Sequence, residues 1–484
     1  MLIFSEFKEL RSCESWANIS TVILVAVISG VALNAYIFET IYTNHIIPNI
    51  YFDKYPTYRT TGEGRWLADI LRTIFGRDQI AQNIIALLLH VVNGLMIVRL
   101  LRVQGNFNAV LLVMSYALFP SFIDYYVFSS DAVGFVLGDT LVIFAALAVD
   151  RIHTNWRSVF IGGLCIFLSI STYQPKISAA ASFFCMHLVY DGRYIGASLL
   201  KKKMCSMFGS LFFAILVYFV SSKFMISDLQ NTRNSINSIF EFVGQLSTTY
   251  FSVYSILKNF LINMPLVSAI SILGLIIVWF YCFASHKKKD VIYILVGLVA
   301  ILAIPFALNL TKIINSYAVD GGGRLFTAYA FVFFIIACSV VRERPQLGRA
   351  LVLMVVFGFY QICVQQSTYA KAKSDIEVLA LSRILTRVEN ILPDRDIRPI
   401  VVIGDYPMEE LGRLRQFPNR PFGVHSNTPF FEVYRQPEIA NFFIGWGAFR
   451  YPTSAEVALA VVESSVRRPW PSAQSVFLHD NLNP

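Results

Sequence analysis

Charged residues are scarce in this chain of 484 residues, because Asp, Glu, Lys and Arg together make up only 15%. Soluble domains carry about 25% charged residues. Hydrophobic residues make up 56%, so the composition excludes an ordinary soluble protein and predicts a polytopic membrane protein. Motifs of soluble nucleotide-binding and metal-dependent enzymes are missing too: there is no P-loop, no GxGxxG and no HExxH. The seven cysteines lie in or beside apolar runs, which argues against a disulfide framework.

What the sequence does contain is an alternation of apolar runs and small basic clusters. Each cluster lies where an apolar run of about 20 residues ends, and that is the length a helix needs to cross a membrane. The clusters are Lys8/Arg11, Arg99/Arg102, Arg151/Arg157, Arg193 with Lys201–Lys203, Lys287–Lys289, and Arg342/Arg344/Arg349. Lys and Arg collect on the cytoplasmic side of membrane helices, so we predict a cytoplasmic N-terminus. The same clusters account for the net charge of +9 better than a nucleic-acid partner does.

The apolar runs predict eleven transmembrane helices. They are Ala17–Phe38, Ile80–Leu101, Asn108–Phe128, Ala132–Val149, Ser158–Thr172, Ile177–Tyr190, Met204–Ser222, Leu261–Ser285, Val291–Leu308, Leu325–Val341 and Ala350–Gln366. The fifth and sixth are short and can instead form one kinked segment, but splitting them keeps every basic cluster inside. An odd number of crossings then puts the C-terminus outside.

The chain divides into a transmembrane domain, residues 1–366, and an outward C-terminal domain, residues 367–484. In the second domain, Ile376–Leu392 has helical spacing, and Pro399–Asp405 is typical of a short buried strand that ends in a Gly-Asp turn. About 115 residues can hold a small core. The predicted fold is therefore an α-helical polytopic membrane protein with a C-terminal α/β domain.

The first outward loop, residues 39–79, holds the most informative polar residues. Glu39 ends the first helix, Asp53 follows in the loop, and Arg65 and Trp66 open an amphipathic helix suited to the membrane interface. A carboxylate at the membrane surface can take the proton from an attacking sugar hydroxyl while a lipid phosphate leaves. An arginine nearby can bind that phosphate. Helix capping and solvation of a loop would account for the same charges, and spacing alone does not separate the two interpretations.

Other polar residues are candidates with open alternatives. Asp124 and Asp131 flank an outward turn, either to bind a sugar or a metal or as solvated turn residues. Asp139 lies inside an apolar run, where it either has a function or pairs with a neighbouring helix. Lys176 can meet a phosphate or extend to the lipid headgroups. The Gly321–Arg324 segment suits an anionic ligand and is also a common kind of turn.

In the order of its motifs, the sequence resembles the serotype-converting glucosyltransferases of phage-encoded O-antigen modification, the family named for its type II member. The resemblance runs over most of the length. It rests on the acid that ends the first helix (Glu39), the Gly64–Leu67 motif, Thr172–Gln174 at an outward helix end, and the closing segment Arg468–Phe477.

This resemblance implies a GT-C-type enzyme of the bacterial inner membrane. The enzyme would take glucose from undecaprenyl-phosphate-glucose and add it to O-antigen repeats on the periplasmic side. Its functional partners would be a synthase of the lipid-linked glucose and a small flippase. No cofactor is implied, and dependence on a divalent metal stays open.

The candidate site follows from the loop residues and the resemblance together. The catalytic candidates are Glu39 and Asp53, the substrate-binding candidates are Arg65, Trp66, Asp124, Asp131, Gln174, Lys176, Arg324 and Trp470, and no metal ligand is predicted. The family often has adjacent acids in the first loop, whereas Glu39 and Asp53 are separated here. This separation leaves open which of the two is the catalytic base, with Glu39 as the first choice.

Two other functions compete with this prediction. An O-antigen polymerase or ligase is similarly polytopic, but it usually carries key arginines in outward loops between middle helices. A transporter or flippase would use Asp139 and Lys176 as ion or substrate sites. It does not need a large outward domain, and no two matching halves with broken helices stand out.

Overall fold

The structure is a computed structural model. The residues that it describes are 14–41, 64–76, 78–151, 156–225, 253–258, 260–262, 264–285, 291–311, 327–391, 398–399, 401–403, 449–450, 453, 455 and 475–477.

Helices dominate this part of the chain. They are α1 (Glu14–Ala32), α2 (Asn34–Phe38), α3 (Trp66–Phe75), α4 (Gln79–Leu100), α5 (Asn106–Ala117), α6 (Ile123–Val127), α7 (Ala132–Arg151), α8 (Trp156–Thr172), α9 (Lys176–Asp191), α10 (Ala197–Met225), α11 (Leu266–Ala284), α12 (Val291–Leu308), α13 (Thr327–Glu343) and α14 (Pro345–Ile391). Short 3₁₀ turns, Pro120–Phe122 and Ser129–Asp131, flank α6.

Each of the eleven predicted apolar segments coincides with one or more helices. In the described part of the chain, five helices are long and apolar enough to cross a membrane, or six if the bent pair formed by α5 and the segment Pro120–Val127 is counted as one span. The five are Gln79–Leu100, Ser129–Asp150, Ala197–Ser222, Leu266–Ala284 and Pro345–Ile376. The protein is thus a helical membrane protein, and the number of eleven crossings stays a prediction.

The outer faces of α10, α11 and α12 are apolar. Phe212, Ile277 and Leu295 are 70%, 67% and 62% exposed, and other large apolar side chains on these helices are exposed beside them. Water would make such a continuous apolar surface costly, whereas lipid tails would not. These faces therefore fit contact with the bilayer.

The predicted third helix, Asn108–Phe128, is wrong as a single element. α5 ends at Ala117, and the chain bends by 51° before it continues through the Pro120–Phe122 turn into α6. Phe119 has an extended backbone, with φ −62° and ψ 123°. Proline lacks an N–H and disfavours helical backbone in the residue before it, which explains the break.

The helices gather basic residues at one end of the bundle, which we call the basic end. Arg102 Nη2 lies 3.9 Å from Asp150 Oδ2, and Lys203 Nζ lies 2.5 Å from Asp150 Oδ1. Arg342 Nη1 donates a hydrogen bond of 3.1 Å to the Leu101 carbonyl. Residues of three predicted basic clusters therefore lie together, although the chain separates them widely.

We call the opposite end the first-loop end, because α2 ends and α4 begins there. Gln79 Nε2 donates to the Ile41 carbonyl at 3.4 Å, and Asn83 Nδ2 donates to the Tyr36 carbonyl at 2.6 Å. These hydrogen bonds join the two edges of the first loop.

Helices α8 and α9 are antiparallel and turn at the first-loop end. The start of α8 meets α10 where Ser158 Oγ donates to Ser206 Oγ at 3.3 Å, and the end of α9 meets the same helix through the ion pair of Asp191 and Lys203. The structure thus has two helices where the sequence left open a single kinked segment.

The long helix α14 runs continuously for 47 residues. The sequence predicted a membrane helix, Ala350–Gln366, and a separate helical segment, Ile376–Leu392. In the structure, α14 joins these two segments in one helix. Beyond α14, β1 (Arg398–Pro399) pairs in parallel with β3 (Phe449–Arg450), and β2 (Val401–Ile403) pairs antiparallel with β4 (Ser475–Phe477). Strand β2 lies within the predicted strand Pro399–Asp405, whereas the α/β domain as a whole stays a prediction.

Candidate active site

Glu39, the first candidate for the base, lies at the C-terminal end of α2 in an ion-paired cluster. Its backbone is extended, with φ −127° and ψ 157°. Lys371 Nζ lies 2.6 Å from Glu39 Oε2 and 3.0 Å from Asp375 Oδ1. We call these three residues the Lys371 cluster. Glu39 and Lys371 are 42% and 37% exposed, so a substrate can reach both.

The docking of α14 against α2 positions this cluster. Ser367 Oγ donates to Asn34 Oδ1 at 2.9 Å, and the Ala35 amide donates to Ser367 Oγ at 2.9 Å. Residues four apart lie on one face of a helix. Lys371 and Asp375 therefore continue the face on which Ser367 contacts the junction of α1 and α2.

Arg65 and Gln174, which belong to two separate sequence motifs, are in direct contact. Arg65 Nε donates to Gln174 Oε1 at 2.7 Å, and its guanidinium lies 4.8 Å from the centre of the Tyr173 ring. Trp66 begins α3 beside Phe167, with ring centres 6.1 Å apart. Its buried indole N–H has no hydrogen-bond partner among the described residues. The Arg65 and Gln174 motifs thus form one polar surface.

Helix α3 has the amphipathic character expected of it. It packs on α7 and α8 through a face that includes the buried Ala68 and Arg72. Ile70 and Ile74 are exposed on another face. An apolar face that is exposed in the described part of the chain suits a helix at the membrane interface, and that location stays a prediction.

Asp139 and Lys176 form a fully buried ion pair between α7 and α9. Lys176 Nζ lies 2.6 Å from Asp139 Oδ1, and both side chains are inaccessible to solvent. Tyr125 donates its hydroxyl proton to Asp139 Oδ2 at 3.1 Å, accepts a hydrogen bond from Lys176 and is also hydrogen-bonded to Thr327. Asp139 thus pairs with a neighbouring helix, and Lys176 does not extend to the headgroups. Whether either residue contacts substrate stays a prediction.

Gly138 allows this ion pair to form at a close helix crossing. A Cβ atom at this position would lie 2.6 Å from Thr172 Oγ1 and 3.0 Å from Lys176 Cε. A methyl group cannot fit at these distances without displacing its neighbours. The glycine therefore lets α7 approach the turn between α8 and α9.

Asp124 and Asp131 are buried, at 0% and 9% exposure, and each has interactions within the protein. The alternative that they are solvated turn residues is wrong. The break before Pro120 and the two 3₁₀ turns fold this segment into the bundle instead of leaving it in a surface turn. Whether either aspartate contacts substrate stays a prediction.

Three candidates, Asp53, Arg324 and Trp470, lie outside the described residues. Sequence reasoning also missed Lys371, Asp375 and Tyr125. The Lys371–Asp375 pair has a detectable signal, because opposite charges four residues apart pair on a helix. Tyr125 lies in an aromatic run and carries no such signal.

A second cluster of charged side chains lies at the basic end. Asp150, His187 and Asp191 have ligand atoms within 4.8 Å of one another. The Lys203 ammonium pairs with both carboxylates, so it already supplies a positive charge there. Burial raises the pKa of Asp191, and Lys203 opposes that effect. This cluster is far along the chain from every predicted catalytic residue.

The fold and the candidate site together define a class: a helical membrane protein with an accessible carboxylate–lysine pair and an arginine at one end of its bundle. The chain matches the family described as glucosyl transferase GtrII over residues 44–337, which is more than half of its length. It therefore belongs to this family and is a glycosyltransferase. No curated protein and no solved structure matches it. The matched range includes Arg65, Gln174 and Lys176, whereas the Lys371 cluster lies outside it.

Proposed function

We propose that the protein transfers glucose from undecaprenyl-phosphate-glucose to O-antigen repeats on the periplasmic side of the inner membrane. Membership of the family supports glucosyl transfer in O-antigen modification. The observation that carries the finer proposal is the accessible Glu39 carboxylate beside a lysine at the end of α2. A base and a cation at one helix end suit a reaction between a sugar hydroxyl and a lipid phosphosugar.

In the proposed reaction, an acceptor hydroxyl oxygen forms a bond to C1 of glucose. The bond from C1 to the phosphate oxygen breaks, and undecaprenyl phosphate leaves with its electron pair. Glu39 takes the proton of the hydroxyl as general base. Arg65 binds the phosphate through charge-assisted hydrogen bonds, while its own Nε donates to Gln174 Oε1. Asp53 is the second candidate for the base.

The orientation is proposed from the distribution of charge. Because Lys and Arg collect on the cytoplasmic side, the basic end would face the cytoplasm and the first-loop end the periplasm. The donor would then be the lipid-linked glucose turned over by a flippase and made by a separate synthase. The GT-C class and a periplasmic domain of residues 367–484 belong to the same proposal.

Expression in a host with a defined O-antigen tests this function. We expect a new side-branch glucose on the repeat unit, detected by mass spectrometry and linkage analysis of the polysaccharide. Deleting the host's synthase of lipid-linked glucose should abolish it. An O-antigen altered in chain length and not in composition would indicate a polymerase or ligase and contradict the proposal.

A further inference from the structure

The Lys371 cluster contains one carboxylate more than it has ammonium groups, and it is open to solvent. Glu39 and Asp375 both contact the same Lys371 nitrogen, at 2.6 and 3.0 Å. Exposed ion pairs contribute little to stability. The cluster is therefore a poor device for holding α2 against α14, a task that the Ser367 hydrogen bonds already perform.

The ion pair with Lys371 also involves the Glu39 carboxylate, which the proposed reaction needs as its base. Glu39 Oε2 is the atom in contact with Lys371, so this oxygen faces the lysine ammonium and not an acceptor hydroxyl. Lysine has three N–H donors on a flexible chain. Lys371 can thus keep its contact with Asp375, one helical turn away, while it exchanges Glu39 for another anion.

We propose that Lys371 binds the phosphate of a polyprenyl-phosphate sugar and that its ion pair with Glu39 opens when this phosphate arrives. The inference rests on the proposed function and deepens it. Arrival of the donor then does two things at once, because it secures the leaving phosphate and frees the base. Before the donor arrives, Glu39 is held by Lys371.

The length of α14 fits this role. Lys371 lies five residues beyond the predicted membrane segment Ala350–Gln366, which is roughly 7 Å along a helix. With the apolar segment ending at Gln366, Lys371 would lie at the level of the lipid headgroups, where the phosphate of a lipid-linked sugar lies. Asp375 is one turn farther from the membrane, and its carboxylate is the second anion on the same ammonium group.

Binding of farnesyl phosphate to the full-length protein in phosphatidylcholine nanodiscs tests the proposal. We expect Lys371→Met to weaken binding about tenfold or more, because a charge-assisted hydrogen bond is lost. Lys371→Arg should retain part of the affinity. Lys202→Met is the matched control, since Lys202 is exposed at the basic end, and it should bind as the wild type does. Farnesol should not bind comparably, and inorganic phosphate should not compete at equal concentration.

The acids provide a test of opposite sign. Glu39→Gln and Asp375→Asn each remove a competitor for Lys371, so both should bind farnesyl phosphate about two- to fivefold more tightly. Glu39→Gln should lose turnover at the same time. If the cluster only stabilised the fold, all three variants would have a lower unfolding temperature. None of them would then bind farnesyl phosphate more tightly than the wild type.

The inference is overturned if Lys371→Met binds farnesyl phosphate with wild-type affinity, or if Asp375→Asn binds it less tightly. If Lys371→Met fails to fold, the Asp375→Asn result decides. The two proposals fail separately. If only the role of Lys371 is wrong, the wild type glucosylates normally and Lys371→Met has an unchanged KM for the donor. If the proposed function is wrong, the wild type does not use polyprenyl-phosphate glucose at all.

Discussion

The residue on which the chemistry depends most is Glu39. Glutamine keeps its size and hydrogen bonding but cannot accept a proton, so Glu39→Gln should lower glucosylation about 100-fold or more. The measurement is transfer of glucose to O-antigen at matched amounts of protein in the membrane. Glu343→Gln, the same change at the basic end, serves as control and should be active. Near-normal activity of Glu39→Gln would favour Asp53 as the base.

Arg65 and Gln174 should act as one unit. Arg65→Lys keeps the charge but loses the planar guanidinium that contacts Gln174 and Tyr173, so we expect activity to fall about tenfold. Gln174→Ala should have a smaller effect in the same direction. The double variant should be hardly worse than Arg65→Lys, because contacting residues are not additive. Fully additive losses would show that the two residues act independently.

The buried pair of Asp139 and Lys176 gives a prediction about stability. Lys176→Met leaves a buried carboxylate without its cation, and we expect a loss of about 3–5 kcal/mol. Lys176→Met combined with Asp139→Asn should cost less than Lys176→Met alone. Thermal unfolding in detergent micelles measures both. A double variant at least as unstable as the single one would contradict this account.

At this scale, the sequence predicts single candidate residues but not the contacts between them. Arg65 and Gln174 were both predicted, each from its own motif, but no local pattern shows that they touch. Lys371 is 332 positions from Glu39 in the chain, and only the docking of α14 joins them. Asp139 was recognised because a carboxylate in an apolar run either has a function or pairs with a neighbouring helix, and the identity of its partner depends on the packing.

At the scale of a helix, the close crossing of α7 with the turn between α8 and α9 depends on Gly138. Gly138→Ala would insert a methyl group against Thr172 and Lys176, and we expect a loss of about 1–3 kcal/mol. Gly134→Ala, one turn earlier, is the control because, among the described residues, its Cβ would meet only Leu71, at 3.9 Å. That change should be neutral or slightly stabilising. Equal losses in both variants would show that space at Gly138 is not the cause.

The elements themselves were largely predictable, because long apolar runs can only be helices in a membrane. Two errors have physical causes. The signal for the break in the third helix, Phe119-Pro120, was present but was outweighed by the apolar run around it. The continuity of α14 was missed because its composition changes near Gln366, although nothing there prevents helix formation.

For the whole molecule, the positive charges at one end predict its orientation in the membrane. Alkaline phosphatase is active only in the periplasm, so a fusion after Gln366 should be active and a fusion at Lys288 should be inactive. Enzyme assays on intact cells measure both, and immunoblots check that the fusions are equally abundant. The reverse pattern would put the first-loop end in the cytoplasm and refute the proposed side of the reaction.

Helix α14 also acts as a spacer. At 1.5 Å per residue, its 47 residues span about 70 Å, more than twice the hydrocarbon thickness of about 30 Å. Some 20 residues separate Lys371 from the end of the helix at Ile391, which is roughly 30 Å. The chain after Ile391 therefore starts well away from Glu39. A long polysaccharide could therefore lie along this part of α14 while one of its sugars is at the Lys371 cluster.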